Sequence, residues 1–487
     1  MAHDMGINAI TVDENHLGPK ETISAVKEGP YGKYRDITDK NGRVFRMGED
    51  PGKILHAPRV LMIWLPWVTM MGIGISEYGF GAASGVLKSV NGWSMTETFW
   101  LISVWVLLEA LVSFPTGILR ERGIIPVRAA MWTGAILSFL AFIILGFSHS
   151  IGMAFLGFSI FGGIGAGMVY STCVNIASKW YPERRGAKTG FIDGGFGYGV
   201  LPFLFVFTYW FHKSDYALVL GIIAVELLLN LGICGFFMKD PPKSWWPAHI
   251  NPLTWATDPH NKAAKLLRKN PPAIQQMGPM AALKTGMLPI MWITLVIASG
   301  VGLFGSNYEV GLAKSLHFGP LIAAASMGLL AIVNGGGRAL SGWLSDVMGR
   351  KDALILILLI EGLAQFGVIF SGNAHILWLF LVFALFSGLG GGAFYTLFAA
   401  MVPDYFGENN NAKNYGIVYS GKVIGGVVAG GAAASLVVAE GFTVAYIIAG
   451  CLGILSAIIA VFLRQPGRSR VAPSPMLSEE QVVSRAA

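Results

Sequence analysis

Twelve stretches of this chain stay mostly apolar for roughly twenty residues or more, and that leaves one ready way to fold: helices packed side by side across a lipid bilayer. Hydrocarbon offers a backbone no hydrogen-bond partner, so a spanning segment must satisfy its own N–H and C=O groups as a helix. The segments run 59–85, 96–118, 127–147, 152–176, 188–211, 216–238, 287–310, 320–343, 352–371, 376–400, 413–436 and 441–463. Charged residues make up 13% of the chain, against about 25% in a soluble domain. That deficit excludes an ordinary soluble enzyme, a disordered chain and a nucleic-acid binder. The 63 glycines follow no collagen-like period and suit helices whose backbones approach closely. The fold class expected is an all-α membrane protein of twelve transmembrane helices in two six-helix repeats.

The polar stretches divide the chain. Residues 1–58 lack the apolar core of a signal peptide and read as a flexible N-terminal extension. Residues 59–238 form a first six-helix bundle, 239–286 a central linker, 287–463 a second bundle and 464–487 a polar tail. Within the linker, the charge-rich piece 261–269 reads as a solvated face rather than an amphipathic helix. With both termini placed in the cytoplasm, the inner connections and their helix edges hold seventeen Lys and Arg. The outer connections hold only Lys88, Lys213 and Lys314. This is the positive-inside bias of a multi-pass protein, so the net charge of +7 reflects topology rather than a nucleic-acid partner. The localisation expected is the inner membrane of a bacterium.

A constant offset of 225 residues aligns Gly117 with Gly342, Glu121 with Asp346, Gly165 with Gly390, Gly167 with Gly392 and Tyr170 with Tyr395. One matched pair means little; one register across separate places indicates duplication. Two repeated bundles suit a transporter whose halves rock about a site near the midplane.

Gly342, Asp346, Gly349, Arg350 and Lys351 form a loop motif that resembles the signature of the major facilitator superfamily. Its first-half copy, from Gly117 and Glu121 to Arg128, is degraded. The narrower resemblance is to the oxalate/formate antiporter family, related to the monocarboxylate transporters. It rests on Lys179–Gly186 after the fourth segment, Asp240-Pro241-Pro242 after the sixth, Asn334–Arg338 in the eighth and Tyr419–Lys422 in the eleventh. It covers about 59–463 and leaves the N-terminal extension outside.

Arg338 and Lys422 are the two cations left inside the apolar segments. Each costs about 2.5–3.5 kcal/mol at a bilayer centre, which points to function. An anion with carboxylates at both ends would relieve both, Arg338 binding in a bidentate fashion and Lys422 as a point charge. The resemblance implies that they are the family's paired substrate cations. The alternative is that each is neutralised by a membrane carboxylate. Tyr415 and Tyr419 share a helix face with Lys422. Tyr170, Tyr395 and Tyr78, with Phe394 beside Tyr395, are further candidates for the pocket wall.

Glu77, Glu109, Asp193, Glu226 and Glu361 also fall inside apolar segments. Glu77 and Asp193 are the candidates for proton coupling or for partnership with the cations. Glu109, Glu226 and Glu361 read as uncharged or locally paired groups near an interface. Cys173, Cys234 and Cys451 read as packing residues. No phosphate-cradling loop, metal-ligand spacing or nucleophile–base constellation occurs, so neither a cofactor, a metal nor an enzyme is expected. The reading is a monomeric secondary transporter of small carboxylate anions by exchange. The alternatives are a proton-coupled monocarboxylate symporter and, in another class, a membrane sensor that binds its ligand without moving it.

Overall fold

The computed structural model describes residues 22–38, 44–250, 252, 270, 273, 275–407 and 410–467. The 261–269 stretch and the tail beyond 467 lie outside them. Apolar runs become helices as expected. In the first half these are α1 (Pro51–Leu55), α2 (Leu61–Tyr78), α3 (Phe80–Asn91), α4 (Met95–Glu121), α5 (Val127–Phe147), α6 (Ile151–Ala154), α7 (Gly163–Trp180), α8 (Arg185–Gly197) and α9 (Tyr216–Phe237). In the second they are α10 (Pro279–Lys284), α11 (Met287–Ser315), α12 (Pro320–Met348), α13 (Arg350–Asn373), α14 (Leu377–Phe406), α15 (Asn411–Tyr419), α16 (Gly421–Val427) and α17 (Ala433–Val461).

Among the described residues, nine helical runs are long and apolar enough to cross a membrane. The difference from twelve segments has local causes. The first segment is divided at Gly79 into α2 and α3. The fifth continues beyond α8 only as short turns of other helical pitch, Leu201–Phe203 and Val206–Trp210. The last two fall in one run, Lys413–Val461, which leaves helical geometry at Gly441 with φ 81° and ψ 171°. A positive φ of that size is readily open only to glycine.

Two close approaches set the centre of the molecule. The α8 helix lies between α2 and α12, and at Gly194 a Cβ would meet the Gly335 carbonyl oxygen of α12 at 2.7 Å. The reverse also holds, since a Cβ on Gly335 would meet the Gly194 carbonyl at 2.7 Å. Only two glycines let these backbones touch, and the contact brings residue 193 of one half against residue 338 of the other.

The N-terminal extension departs from the flexible segment expected. Its described part carries four strands, β1 (Thr22–Ile23), β2 (Lys27–Gly29), β3 (Gly32–Thr38) and β4 (Val44–Met47). The central strand β3 pairs antiparallel with β1, β2 and β4, Arg35 lying opposite Met47. The linker supplies β5 (Trp245–Trp246), which pairs parallel with β4. This small sheet caps the end of the first helical half where the chain enters. Arg59 bonds the Trp180 carbonyl oxygen, pairs with Glu183 at 2.8 Å and lies over the Tyr181 ring. The Trp180 indole donates to the Lys239 carbonyl at 2.7 Å, and Lys239 donates to that of Ile54 at 2.8 Å.

Glu49 in this cap is 1% exposed, and neither of its carboxylate oxygens has a hydrogen-bond partner. Burial pushes its carboxyl above the usual range, opposed by Arg46 and reinforced by Asp36. The folded cap therefore holds more protons than the unfolded chain from about pH 4.3 up to the raised value. Its stability falls as pH rises through that window. Glu49→Gln removes the penalty. Backbone amides of 22–47 should exchange with deuterium more slowly than in the unsubstituted protein at pH 7, and the two should converge near about pH 4. Equal exchange at pH 7 counts against this account.

Candidate functional site

The two buried cations come together with three acids, one side of each contact on each half. Arg338 of α12 places Nη1 2.6 Å from Asp193 Oδ2 of α8. Its Nη2 donates to the Tyr78 hydroxyl of α2 at 3.0 Å and to Asn334 Oδ1 one turn back at 3.3 Å. The other oxygen of Asp193 accepts from the Tyr170 hydroxyl of α7 at 2.8 Å. Lys422 of α16 donates to Glu77 Oε2 of α2 and to Glu109 Oε2 of α4, both at 3.0 Å. The second oxygen of Glu109 accepts a long 3.5 Å bond from Tyr419.

Aromatic rings join the two ion clusters into one site. Phe196 lies 6.0 Å from the Arg338 guanidinium and 5.2 Å from the Lys422 ammonium, and Tyr395 lies 5.5 and 5.8 Å from the same groups. Tyr419 stacks on Tyr170 at 5.7 Å and contacts Tyr395 and Tyr415. Cations over ring faces gain electrostatic attraction where water is excluded. Here it is excluded: Arg338 and Lys422 are 2% exposed, Glu77 1% and Glu109 0%. The Tyr395 hydroxyl and Glu77 Oε1 are buried without a hydrogen-bond partner.

The site corrects several expectations. Neither cation stands open for an anion; both are held by carboxylates from the opposite half. Glu109, expected near an interface, is at the centre. Glu361 is fully buried with neither oxygen partnered among the described residues, which removes the local pairing and the interface position and leaves the uncharged alternative, and Glu309, passed over in the sequence, is the same. Glu226 accepts from Asn230 one turn away at 2.8 Å, a local pairing as expected. Tyr78, Tyr170, Tyr395 and Tyr419 converge on the ion pairs, and Tyr415 packs against Tyr419 within electrostatic reach of Asp193. Phe196 was missed. Its signal was available: it follows Asp193 by three residues and so shares its helix face.

The loop motif sits at the capped end, away from these ion pairs. Gly349 adopts φ 106°, and Arg350 beyond it bonds Asp346 at 2.6 Å and Asp404 at 3.1 Å. Gly342 and Lys351 are half-buried beside it. In the first copy Gly117 is half-buried but Glu121 is exposed. The buried cation there is Arg120, which pairs with Asp240 at 2.8 Å, and Lys179 joins at 3.2 Å. The acid that takes part comes from the end of the sixth segment, not from the motif. Among the described residues no group of three His, Cys, Asp or Glu is placed to hold a metal.

Comparison with known proteins follows this geometry. The family Major Facilitator Superfamily matches residues 66–377 and 290–485. The chain is 24% identical to the oxalate:formate antiporter of Oxalobacter formigenes over 66% of this chain and 72% of that protein. It is 24% identical to monocarboxylate transporter 13 of Rattus norvegicus over 71% and 77%. The xylose transporter XylE from E. coli, in a partially occluded inward open conformation, superposes with a TM-score of 0.64. That match has 14% identity and covers 85% of this chain and 99% of XylE.

Removing one partner of a buried ion pair leaves the other charged without compensation, at about 3–5 kcal/mol, whereas removing both costs less. Asp193→Asn should therefore lower the unfolding midpoint in detergent clearly. Asp193→Asn with Arg338→Gln should recover much of the loss. Additive losses in the double variant would show that the pair is not coupled.

Proposed function

The chain belongs to the major facilitator superfamily, and we propose that it carries small monocarboxylate anions across the membrane together with a proton. The observation that supports this reading is the charge count of the central site: two cations, Arg338 and Lys422, against three carboxylates, Asp193, Glu77 and Glu109. With all five ionised the site holds one negative charge in a dry interior, where an uncompensated charge is costly. One proton makes it neutral.

The two clusters then play different parts. Asp193 has both oxygens engaged, by Arg338 and Tyr170, and keeps Arg338 occupied. Glu109 shares Lys422 with Glu77 and has only a 3.5 Å bond besides. That first proton sits on Glu77, whose Oε1 has no hydrogen-bond partner among the described residues, and a second proton on Glu109, taken up with the anion, frees Lys422 for the substrate carboxylate and leaves the loaded site neutral again. The Tyr395 hydroxyl, unpartnered and beside Lys422, donates a second bond to that anion. Tyr78, Tyr170, Tyr415 and Tyr419 wall the space around it. One freed cation suits one carboxylate, which favours a monocarboxylate over a dianion such as oxalate. The names of the two relatives, an oxalate:formate antiporter and a monocarboxylate transporter, support the small-carboxylate class.

Transport proceeds by alternating access. Twelve spans in two six-helix halves rock about the neutral loaded site, with both termini on the cytoplasmic side of the inner membrane and the protein acting as a monomer. The motif residues Gly342, Asp346, Gly349, Arg350 and Lys351, with Arg120, Lys179 and Asp240 near Gly117 in the first half, brace the cytoplasmic end of each half during that exchange of states.

Proteoliposomes containing the full chain and given an inward proton gradient should accumulate labelled acetate or lactate above equilibrium. Glu109→Gln should retain exchange of labelled for unlabelled anion and lose gradient-driven accumulation. Lys422→Gln should lose both. Uptake that requires an internal anion and ignores the pH gradient would overturn proton coupling in favour of anion exchange.

A further inference from the structure

The face of the bundle opposite the termini is almost free of positive charge, yet two of its few cations lie near each other there, one of them on the wall of a cavity. Lys314, near the end of α11, crosses toward α3: a Cβ on Gly85 would lie 3.8 Å from its Nζ. Lys88, one turn along α3 from Gly85, is within electrostatic reach of Lys314. The two lysines belong to opposite halves, and neither forms an ion pair among the described residues. Like charges set across a closing boundary repel, so this arrangement opposes closure unless an anion joins them.

Beneath Lys314 is a cavity of about 190 Å³ lined by Leu204, Phe207, Phe318 and Met327. At about 30 Å³ per water it has room for roughly six waters, or for a small organic acid with an apolar body. Apolar walls with one charged group at the rim match the usual make-up of a small-molecule site, in which polar groups orient and apolar ones hold. Two helices that wall the cavity continue to the central site. Ala82 on its wall lies four residues beyond Tyr78, which bonds Arg338. Along α12, Met327 precedes Arg338 by eleven residues, about 16 Å of helix.

We propose that Lys88 and Lys314 with this cavity form an outer capture site for monocarboxylates with an apolar body. The carboxylate sits between the two ammonium groups, and the apolar part enters among Phe207, Phe318 and Met327. This rests on the carboxylate reading of the central site and narrows it to acids larger than formate. The site is separate from the ion pairs and needs no proton to receive its ligand, because its cations are already unpaired.

The test reads binding apart from transport. Gly85→Cys places a thiol at an exposed position against Lys314, in a full-length chain with Cys451→Ser; Cys173 and Cys234 are buried. Modification by a membrane-impermeant thiol reagent is timed in intact cells with and without benzoate, and with formate as the small comparison. Benzoate should slow modification several-fold and formate much less. The ratio of rates with and without benzoate should return to one when Lys88→Gln and Lys314→Gln are added. The same protection should persist with Arg338→Gln. In proteoliposomes at low salt, the two lysine substitutions should raise the KM for benzoate about tenfold with Vmax little changed, and should flatten its salt dependence. Protection without any carboxylate flux supports the capture site and removes the transport reading. Carboxylate flux with no protection and an unchanged KM overturns the capture site alone.

Discussion

Lys422 between Glu77 and Glu109 is the contact on which the closed arrangement of this protein turns. An ammonium without a partner is costly in an apolar interior. Here it takes two carboxylates, from α2 and α4 of the first half, while sitting on α16 of the second. Arg338 and Asp193 repeat the arrangement between α12 and α8. Buried ion pairs add little net stability compared with apolar packing, because desolvation offsets attraction. Their value in this place is conditional. Each holds the two halves together only while its charges stand, so a proton or an anion at the site changes how firmly the halves are closed.

Packing makes that condition precise in space. Because Gly194 and Gly335 let α8 and α12 touch, Asp193 reaches Arg338 at 2.6 Å with no intervening water-sized gap. The rings of Phe196 and Tyr395 lie against both cations and keep the two ion clusters in one apolar box. A single change of charge is therefore felt across the whole site, since low polarity strengthens every interaction within it. At the capped end the ion pairs lie within each half rather than between the halves. Arg350 ties α13 to Asp346 and Asp404, whereas Arg120 and Lys179 share Asp240. Their carboxylates are partly exposed, so solvent weakens these pairs relative to the buried ones.

The membrane helices were legible because apolar length is a local property, readable in one segment at a time. Arg338 and Lys422 were legible for the same reason: a cation inside such a segment stands out. Two of their partners, Asp193 and Glu77, were legible as acids in such segments; the third, Glu109, was not. Glu109 and Glu361 look alike in sequence, each a lone acid in an apolar helix, and only the packing of α4 against α16 separates the centre of the site from an isolated buried carboxyl. The cap escaped for a related reason. Its strands are two to seven residues long, and β5 joins β4 from about two hundred residues away, so no local pattern announces the sheet. The first motif copy misled because Glu121 has the right type and spacing, yet the acid that pairs with Arg120 is Asp240, brought in by the end of α9. The twelve segments differ from nine continuous runs where glycine interrupts or bends a helix rather than where hydropathy falls.

Cation availability differs with position along the boundary between the halves. At the face opposite the termini, Lys88 and Lys314 have no carboxylate partner among the described residues. At the centre, Arg338 and Lys422 are fully engaged. In the proposed cycle an anion arriving from that face meets free positive charge first and charge that must be released second. The order has a physical consequence. Attraction at the outer pair is long-ranged and screened by salt, while release at the inner pair is short-ranged and, in the proposal, depends on a proton, because Lys422 is free only when Glu77 and Glu109 are both neutral. The proposal thus assigns encounter and coupling to different residues. A change that alters how often the anion arrives need not alter how many protons accompany it.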